Sequence, residues 1–329
     1  MHCISECLNY RDTLGVVGRD FHRIFSHERH SPVHRCHVPL VADHPKAVVH
    51  HLTSVPFNEI QEETTPIHSV SHLGSGTEDD PFIIYRHADL IGKDNLQHLR
   101  FICVSDTHNQ LDKIHIPNGD VFIHCGDAVN HSTSARDLVV FNELVGGLPH
   151  KYKLFISGNH CVCLNPKRPD RSQKILSNMI YLQDQLIDIK GVRIYGSPWR
   201  PKRGCFYRAE AFGYDSKDIR ADKWSNIPDD LDFLLTHGPP YSIRDYNSST
   251  KRSLGCPGLL DEIVTRVRPR IHLFGHMHAG RGASLYRSEE NHLLEEDKST
   301  KNSHDILFVN LAIHQGRRLA EATVIDYYY

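Results

Sequence analysis

The stretch Leu99-Arg-Phe-Ile-Cys-Val-Ser-Asp-Thr-His108 joins a short apolar run to a polar turn. Its first six residues are mostly aliphatic, β-branched or aromatic, which is typical of a buried strand. The turn that follows carries Asp106 and His108, two side chains able to bind a metal ion or to transfer a proton. A buried strand that ends in such a turn is a unit that can be searched for along the rest of the chain.

The same unit recurs four more times. Each apolar run ends in a turn that bears Asp, Asn or His, and Gly126, Gly158 and Gly275 allow the chain to change direction sharply there. The runs and the polar residues behind them are Val121–His124 with Asp127, Leu154–Ile156 with Asn159 and His160, Phe233–Leu235 with His237, and Ile271–Phe274 with His276 and His278. In an open α/β sheet ligands bind beyond the carboxyl ends of the strands, so we expect these side chains to lie together.

Helical patterns separate some of the predicted strands. One helix, from Ser134 to Leu144, begins with a Ser-x-x-Asp cap, and a second is predicted from Leu259 to Val267. Strands that alternate with helices predict an α/β fold covered on both faces. The late strands Ile306–Val309 and Ala322–Ile325 are expected to complete a second sheet or to extend the first, and the charged run from Ser288 to Ser303 is expected to be an exposed loop.

The polar residues at the turns form a ligand set for divalent cations. The set has two carboxylates, one amide and four imidazoles, which belong to Asp106, Asp127, Asn159, His108, His237, His276 and His278. Such donors suit Mn²⁺, Fe²⁺ or Zn²⁺, and Asp127 can bridge two ions because a carboxylate offers one oxygen to each. Two ions roughly 3.5–4 Å apart bind a hydroxide between them and stabilise an in-line displacement at phosphorus. The set therefore indicates phosphoester hydrolysis.

The ordered series Asp-x-His, Gly-Asp, Gly-Asn-His, His-Gly and Gly-His-x-His resembles the signature of the calcineurin-like metallophosphoesterase superfamily. The resemblance runs from about Arg100 to about Ile325 and implies a four-layered α/β/β/α sandwich. Four further segments resemble the metallophosphoesterase-domain-containing subfamily, namely Asn178–Asp184, Arg193–Trp199, Leu235–Pro240 and Phe274–His278.

The resemblance also implies a role for each residue of the set. One ion would be held by Asp106, His108, Asp127 and His278, and the other by Asp127, Asn159, His237 and His276. Mn²⁺ is the first candidate for both ions. His160 would be the general acid that protonates the leaving oxygen. Small phosphodiesters, with 3′,5′-cyclic nucleotides first among them, would be the substrates. The alternatives are phosphomonoesters or phosphoproteins as substrates, and a low-activity scaffold that binds metal and nucleotide.

Cys161 departs from the family pattern, which has Asp or Glu after Gly-Asn-His. A carboxylate beside His160 would orient its ring and raise its pKa, so the replacement predicts a weaker acid. This departure is the reason to keep the scaffold alternative open. Cys161 and Cys163 are interpreted as ordinary thiols, because no second cysteine pair accompanies them as in a zinc or redox site.

Four more residues near the motifs have two interpretations each. Arg200 either contacts a substrate phosphate or forms a surface salt bridge. Trp199 is more typical of a core residue than of a platform on which a base stacks. His124 and His272 lie inside predicted strands, so they are expected to be packed or hydrogen-bonded core residues rather than ligands.

The composition limits the classes of partner. A formal net charge of −2 offers no basic footprint, which disfavours a nuclease or any obligatory nucleic-acid ligand. Nine cysteines without regular spacing indicate reduced thiols in the cytoplasm or nucleus. No run approaches the roughly 18 apolar residues of a membrane span. The oligomeric state has no signature in the sequence.

Residues 1–85 differ from residues 86–329 in composition and in the frequency of strand-like runs. They hold eleven of the 26 histidines and few strand-like runs, so they predict a low-order, His-rich segment ahead of the phosphoesterase domain. Its histidines at 27, 30, 34 and 37 belong to a type of tract that can bind metal. A solvated polar tail is the favoured interpretation, because no fixed ligand spacing accompanies them.

Overall fold

The structure is a computed structural model that describes residues 50–51, 70–73, 82–86, 96–130, 134–202, 211–214, 219–247, 250–286, 305–316 and 318–329. All of them belong to one unit, Ala47–Tyr329. The histidine tract at 27–37 and the predicted loop from Ser288 to Ser303 lie outside the described residues.

Short strands dominate the secondary structure. In chain order they are β1 (His50–His51), β2 (Val70–Leu73), β3 (Phe82–Arg86), β4 (His98–Val104), β5 (Val121–His124), β6 (Tyr152–Phe155), β7 (Ile180–Tyr181), β8 (Gln185–Ile189), β9 (Val192–Ser197), β10 (Arg200–Pro201), β11 (Gly213–Tyr214), β12 (Phe233–Thr236), β13 (Tyr246–Asn247), β14 (Arg252–Ser253), β15 (Ile271–Phe274), β16 (Gly282–Tyr286), β17 (Ile306–Asn310), β18 (His314–Gln315), β19 (Arg318–Leu319) and β20 (Thr323–Tyr328).

Two seven-stranded sheets contain most of these strands. The first has the order β1-β16-β17-β15-β12-β9-β8, and the second has the order β2-β3-β20-β4-β5-β6-β7. Strands β9, β12, β15 and β17 run parallel in the first sheet. Strands β4 to β7 run parallel in the second. Each sheet therefore has one edge at which several carboxyl ends lie side by side.

The two late strands join different sheets. β17 lies between β15 and β16, whereas β20 lies between β3 and β4. The expected second sheet is present, and each sheet receives one of these strands. β1, β2 and β3 come from residues 50–86: β1 and β2 are edge strands, and β3 lies between β2 and β20. The domain boundary at residue 86 stays a prediction.

Among the described residues, four α-helices cover the outer faces of the sheets. They are α1 (Ala135–Gly146), α2 (Pro169–Ile175), α3 (Ile219–Asp222) and α4 (Pro257–Glu262), the last continued by a π-helical turn over Ile263–Val267. The predicted cap of α1 is found, since the Ser134 hydroxyl accepts a hydrogen bond from the Arg136 N–H at 3.1 Å. None of the helices among the described residues is long and apolar enough to cross a membrane.

Alternate residues of the central strands face different cores. In β4, Phe101 faces the core between the two sheets, while Ile102 faces the core beneath α1. This is the two-residue period of a strand buried on both faces. The rings of Phe101 and Phe233, one from each sheet, lie 4.5 Å apart. A third core packs Leu234 of β12 against Leu259 of α4. The predicted α/β/β/α order of four layers is therefore confirmed.

The carboxyl ends of the two sheets meet through the residues behind β4 and β17. An isolated parallel bridge pairs Ser105 with Ala312, and the Ile313 N–H donates to the Ser105 carbonyl at 3.0 Å. The polar turns of both sheets are thereby brought to the same place.

A buried carboxylate in β20 gives a stability prediction remote from these turns. The Asp326 carboxylate accepts hydrogen bonds from Arg100 at 2.7 and 2.8 Å and from His98 at 3.0 Å, and the residue is 4% exposed. Burial alone would raise the pKa of Asp326, but Arg100 and His98 outweigh it and lower the pKa. This stabilisation is complete above the pKa of an unfolded aspartate, about 4, and is lost as the pH falls through the lowered folded pKa.

We expect Asp326→Asn to lower the free energy of unfolding by about 1–3 kcal/mol at pH 7, because a buried charged hydrogen-bond network is broken. The difference from wild type should shrink as the pH falls below about 4, because Asp326 is protonated first in the unfolded state and, at still lower pH, in the folded state. Urea unfolding at pH 7 and pH 3 measures both effects. Asp170→Asn is the control: its 3.1 Å pair with Arg168 is more than 40% exposed on both sides, so the loss should be much smaller. Equal losses in the two variants would contradict the prediction.

Candidate metal centre

The turns that carry the predicted ligands have left-handed backbone conformations. The φ angles of Asp106, His108, Asp127 and His276 are 57°, 44°, 53° and 66°. Such angles are uncommon for residues other than glycine, and where they cluster they favour a functional site. Here they occur directly behind β4, β5 and β15, so the chain turns sharply at the end of each strand.

A first group of ligand atoms combines both sheets. Asp106, His108 and His278 each offer one atom within 4.8 Å of the others. The Nε2 atom of His278 lies 3.4 Å from Oδ1 of Asp106 and 3.2 Å from Nε2 of His108. Asp106 and His108 follow β4 of the second sheet, while His278 follows β15 of the first. The junction of the sheets thus forms a three-residue cluster.

A second group lies beside the first. Asp127, His237 and His276 again offer three atoms within 4.8 Å of one another. The His237 Nε2 atom lies 3.2 Å from Oδ2 of Asp127 and 3.0 Å from Oδ1 of Asn159, so Asn159 belongs to the same cluster. All seven residues of the predicted ligand set are therefore brought together at one edge of the fold.

Asp127 connects the two groups. It lies within 4.8 Å of His237 and His276 and, in a further set, within the same distance of His108 and His160. Its side chain is 2% exposed, so solvent does not compete for its oxygens. Asp127 thus lies between the two groups of ligand atoms.

The donor set fits a metal because part of it lacks other partners. Oδ1 of Asp106 and Nδ1 of His108 are buried and have no hydrogen-bond partner among the described residues. A buried charged oxygen without a partner costs several kcal/mol, roughly, unless a cation or a hydrogen bond compensates it. The chemistry of the set, which has oxygen and imidazole donors and no thiolate, suits borderline or hard divalent ions.

The electrostatics of the group favour cations. Burial would raise the pKa of Asp106, yet the neighbouring imidazoles of His278 and His237 lower it to about 2. The pKa of Asp127 is lowered against burial in the same way, chiefly by His237. Both carboxylates are thus ionised at neutral pH although they are fully enclosed, and they hold negative charge where the imidazoles converge.

Hydrogen bonds behind the ligand atoms fix their directions. The His237 Nδ1 atom lies 2.9 Å from the Cys125 carbonyl, which can only accept, so Nδ1 carries the proton and Nε2 faces Asp127. The His276 N–H donates to Oδ2 of Asp106 at 2.8 Å, and the His160 N–H donates to Oδ1 of Asp127 at 2.8 Å. One oxygen of each carboxylate therefore accepts a hydrogen bond from the backbone of another motif.

His160, the predicted general acid, lies at the mouth of this cluster. Its side chain is 32% exposed, and its Nε2 atom is 3.8 Å from Oδ2 of Asp127. The ring also meets the His108 ring edge-on, with 4.7 Å between the centroids. It is accessible from solvent on one side and in contact with the cluster on the other.

Cys161 points away from the mouth into a hydrophobic core. It is fully buried among apolar residues beneath α1, and its N–H donates to the Gly158 carbonyl at 3.3 Å. Burial, assisted by the charge of Asp127, raises the pKa of the Cys161 thiol to about 11. Cys161 and Cys163 are free thiols, in agreement with their interpretation as ordinary cysteines.

We expect Cys161→Asp to give no gain in hydrolytic rate, because Asp127 and His108 already hold His160. The buried carboxylate should instead lower the melting temperature. Rates with a chromogenic phosphodiester and thermal unfolding of the variant measure the two effects, with Cys163→Asp at the neighbouring half-buried position as control. A gain of about 10²-fold, the lower end of what general acid catalysis contributes, would contradict this expectation.

Three other residues considered in the sequence analysis are core residues rather than ligands. His124 and His272 are fully buried, bond the hydroxyls of Thr107 and Thr236 at 2.9 and 2.8 Å, and have pKa values that burial lowers to about 3. They are core residues, as predicted. Trp199 also packs against two cores, donates to Asp184 at 2.6 Å and has one face covered by the Lys223 ammonium at 3.9 Å.

Arg200 is buried, whereas one of its two interpretations was a surface salt bridge. It begins β10 and is 3% exposed, so it is not a surface residue. Its Cβ atom lies 3.5 Å from the point where a Cβ on Gly238 would stand, directly behind His237. Contact between its guanidinium and a substrate phosphate stays a prediction.

His314 was not singled out by the sequence patterns, yet its ring lies against His108 and His278. The centroid distances are 5.3 and 5.7 Å. Its signal was present in principle: like the other site residues, it follows a buried strand, β17, within a few residues. It was missed because it lies four residues after the end of β17 and has no glycine directly beside it.

The sheets, the turns and the paired groups of ligand atoms define a four-layered phosphoesterase scaffold, and comparison with known proteins agrees with this class. The profile of the calcineurin-like phosphoesterase family matches residues 99–280. The chain belongs to this family.

Its relatives include the metallophosphoesterase domain-containing protein 1 of Homo sapiens, which is 38% identical over 205 residues, covering 56% of this chain and 61% of that protein. The UPF0046 protein C25E10.12 of Caenorhabditis elegans is 36% identical over 206 residues, covering 56% of this chain and 71% of that protein. The chain thus spans less than two thirds of the human relative.

Proposed function

We propose that this protein is a dinuclear metal-dependent phosphodiesterase that acts on small phosphodiesters, 3′,5′-cyclic nucleotides first among them. The observation that carries the proposal is the pair of adjacent ligand groups at the junction of the two sheets, with Asp127 of the second group within 4.8 Å of His108 of the first. Family membership supports the reaction class. The human relative's name supports it too, since it refers to a metallophosphoesterase domain.

The residues divide between two cation positions. In the proposal one position is formed by Asp106, His108, Asp127 and His278, and the other by Asp127, Asn159, His237 and His276. Mn²⁺ is the first candidate, with Fe²⁺ and Zn²⁺ as alternatives. When bound, the two ions supply an activated water nucleophile and neutralise charge on the phosphoryl oxygens.

The chain's own groups complete the chemistry. His160 lies at the exposed mouth, 3.8 Å from Asp127, where it can donate a proton to the leaving oxygen of an ester bound over the cluster. The ionised carboxylates of Asp106 and Asp127 balance the charge of the cations. The imidazole of His237 stays in one tautomer because the Cys125 carbonyl holds its Nδ1 proton.

The test uses the purified full chain with added Mn²⁺. Bis(p-nitrophenyl) phosphate and p-nitrophenyl phosphate are compared on one preparation, followed by a panel of 3′,5′-cyclic nucleotides. The proposal expects the diester to be cleaved faster than the monoester. A faster monoester would support the phosphomonoesterase alternative, and tight metal binding without hydrolysis of any ester would support the scaffold alternative.

A further inference from the structure

His314 lies over the first ligand group. Its ring stacks on the His278 ring, with an interplanar angle of 25° and 5.7 Å between centroids. It meets the His108 ring edge-on at 67° and 5.3 Å. The His278 side chain is 40% exposed. Without the His314 ring, one face of the His278 ring would have no packing contact.

Hydrogen bonds tie the His314 ring to the turn that carries His108. Its Nε2 atom lies 2.9 Å from Nε2 of Gln110, and the Lys113 ammonium donates to Oε1 of the same amide at 3.3 Å. Because an ammonium can only donate, the amide must turn its NH₂ group towards His314. The ring nitrogen therefore accepts this hydrogen bond and is not available to a cation.

The backbone that delivers His314 is fixed on its other side. Arg281 is 6% exposed and donates to the carbonyls of Leu311 and Ala312 at 3.0 and 3.3 Å. The Ile313 N–H donates to the Ser105 carbonyl at 3.0 Å. His314 thus follows a strand of the first sheet, and the backbone beside it is hydrogen-bonded to the second sheet.

We infer that His314 is a positioning residue, which holds the rings of His108 and His278 in the orientation that the first cation position requires. The inference rests on the proposed metal centre and adds a residue to it. His314 connects a ligand behind β4 to a ligand behind β15, and these two come from different sheets. Outer contacts of this kind fix ring orientation and keep a ligand set assembled before the ion arrives.

The test is calorimetric titration of the metal-free full chain with Mn²⁺ alone. Wild type should bind two ions. His314→Ala should weaken one of them by about 10–100-fold, the range usual for residues that support metal ligands, and leave the other unchanged. His314→Phe keeps the stacking ring but has no nitrogen, so its affinity should stay closer to wild type than that of His314→Ala. His115→Ala, at an exposed position, is the matched control.

Two results would overturn the inference. Wild-type binding by His314→Ala would show that the ring supports nothing. Equal weakening by His314→Ala and His314→Phe, with one ion lost in each, would make His314 a direct ligand. A wild-type chain that binds two ions without hydrolysing any ester would contradict the proposed activity alone, whereas a wild-type chain that binds no second ion would contradict both. Circular dichroism of each variant establishes that it is folded.

Discussion

Asp127→Asn is expected to abolish the proposed Mn²⁺-dependent phosphodiester hydrolysis. The side chain lies in the second ligand group, comes within 4.8 Å of His108 of the first, and is 2% exposed, so no water or neighbouring carboxylate can take its place. A metal centre supplies several kcal/mol, roughly, of transition-state stabilisation, and at about 1.4 kcal/mol per tenfold its loss corresponds to a fall of about 10³-fold in kcat/KM. The rate with bis(p-nitrophenyl) phosphate measures the effect.

A second readout separates loss of the metal centre from loss of the fold. Mn²⁺ should raise the melting temperature of the wild type, because a ligand that binds the native state stabilises it, and should not raise that of Asp127→Asn. Treatment of the wild type with a chelator should reproduce the inactive state, and added Mn²⁺ should reverse it. Asp326→Asn, another aspartate that is almost fully buried, is the control and should keep its activity although it is less stable. Full activity in Asp127→Asn would show that the activity belongs to a contaminant or to another site.

Gly158→Ala is expected to lower the activity of the same metal centre by displacing Asp127. A Cβ atom on Gly158 would overlap Oδ1, Cγ and the backbone nitrogen of Asp127. Because the overlap includes backbone, it cannot be relieved by rotation of a flexible side chain, so Asp127 must move. Its 2.8 Å hydrogen bond from the His160 N–H would be strained in the process. A displacement of this kind near 1 Å costs about 10²-fold in rate, and overpacking costs about 1–3 kcal/mol of stability.

Gly147→Ala is the matched substitution. A Cβ atom there would meet the Leu144 and Glu143 carbonyl oxygens at 3.5 and 4.0 Å, which are ordinary contact distances. The residue has helical φ and ψ of −73° and −13°, so alanine should be tolerated or stabilise by roughly 0.4–1 kcal/mol. Steady-state kinetics and urea unfolding of both variants test the comparison. Wild-type kinetics in Gly158→Ala would mean that Asp127 can shift without loss of the site.

The polar turns were predictable because each signal is local. A run such as Leu99–Val104 contains enough apolar residues to be buried, and the Asp or His behind it must then lie at the end of a strand. Similarly, Ser134 predicts the start of α1 from its own hydroxyl and from the residues that follow it. The confirmed four-layered order came from the family resemblance, since local patterns by themselves left open whether β17 and β20 extend one sheet or build two.

The assembly of the site could not be predicted from such signals. Hydrogen bonding along β17 and β20 is decided by partners far away in the chain, so their separate sheets appear only in the folded molecule. The burial of Cys161 in the core beneath α1 has the same origin, and it changes the consequence of the missing acid beside His160. His314 likewise reaches His108 and His278 only through the backbone bonds of Ile313 and Arg281.

By itself the amino-acid order determined which side chains are available for metal chemistry and that each follows a buried strand, because strand formation and turn chemistry depend on near neighbours. Only the tertiary structure decided which of them lie in one ligand group, which oxygen of Asp106 stays without a hydrogen-bond partner, and that the imidazole of His314 lies against His278. Those properties are distances between residues up to about 200 positions apart, for example Gln110 and His314, and long-range packing alone sets them.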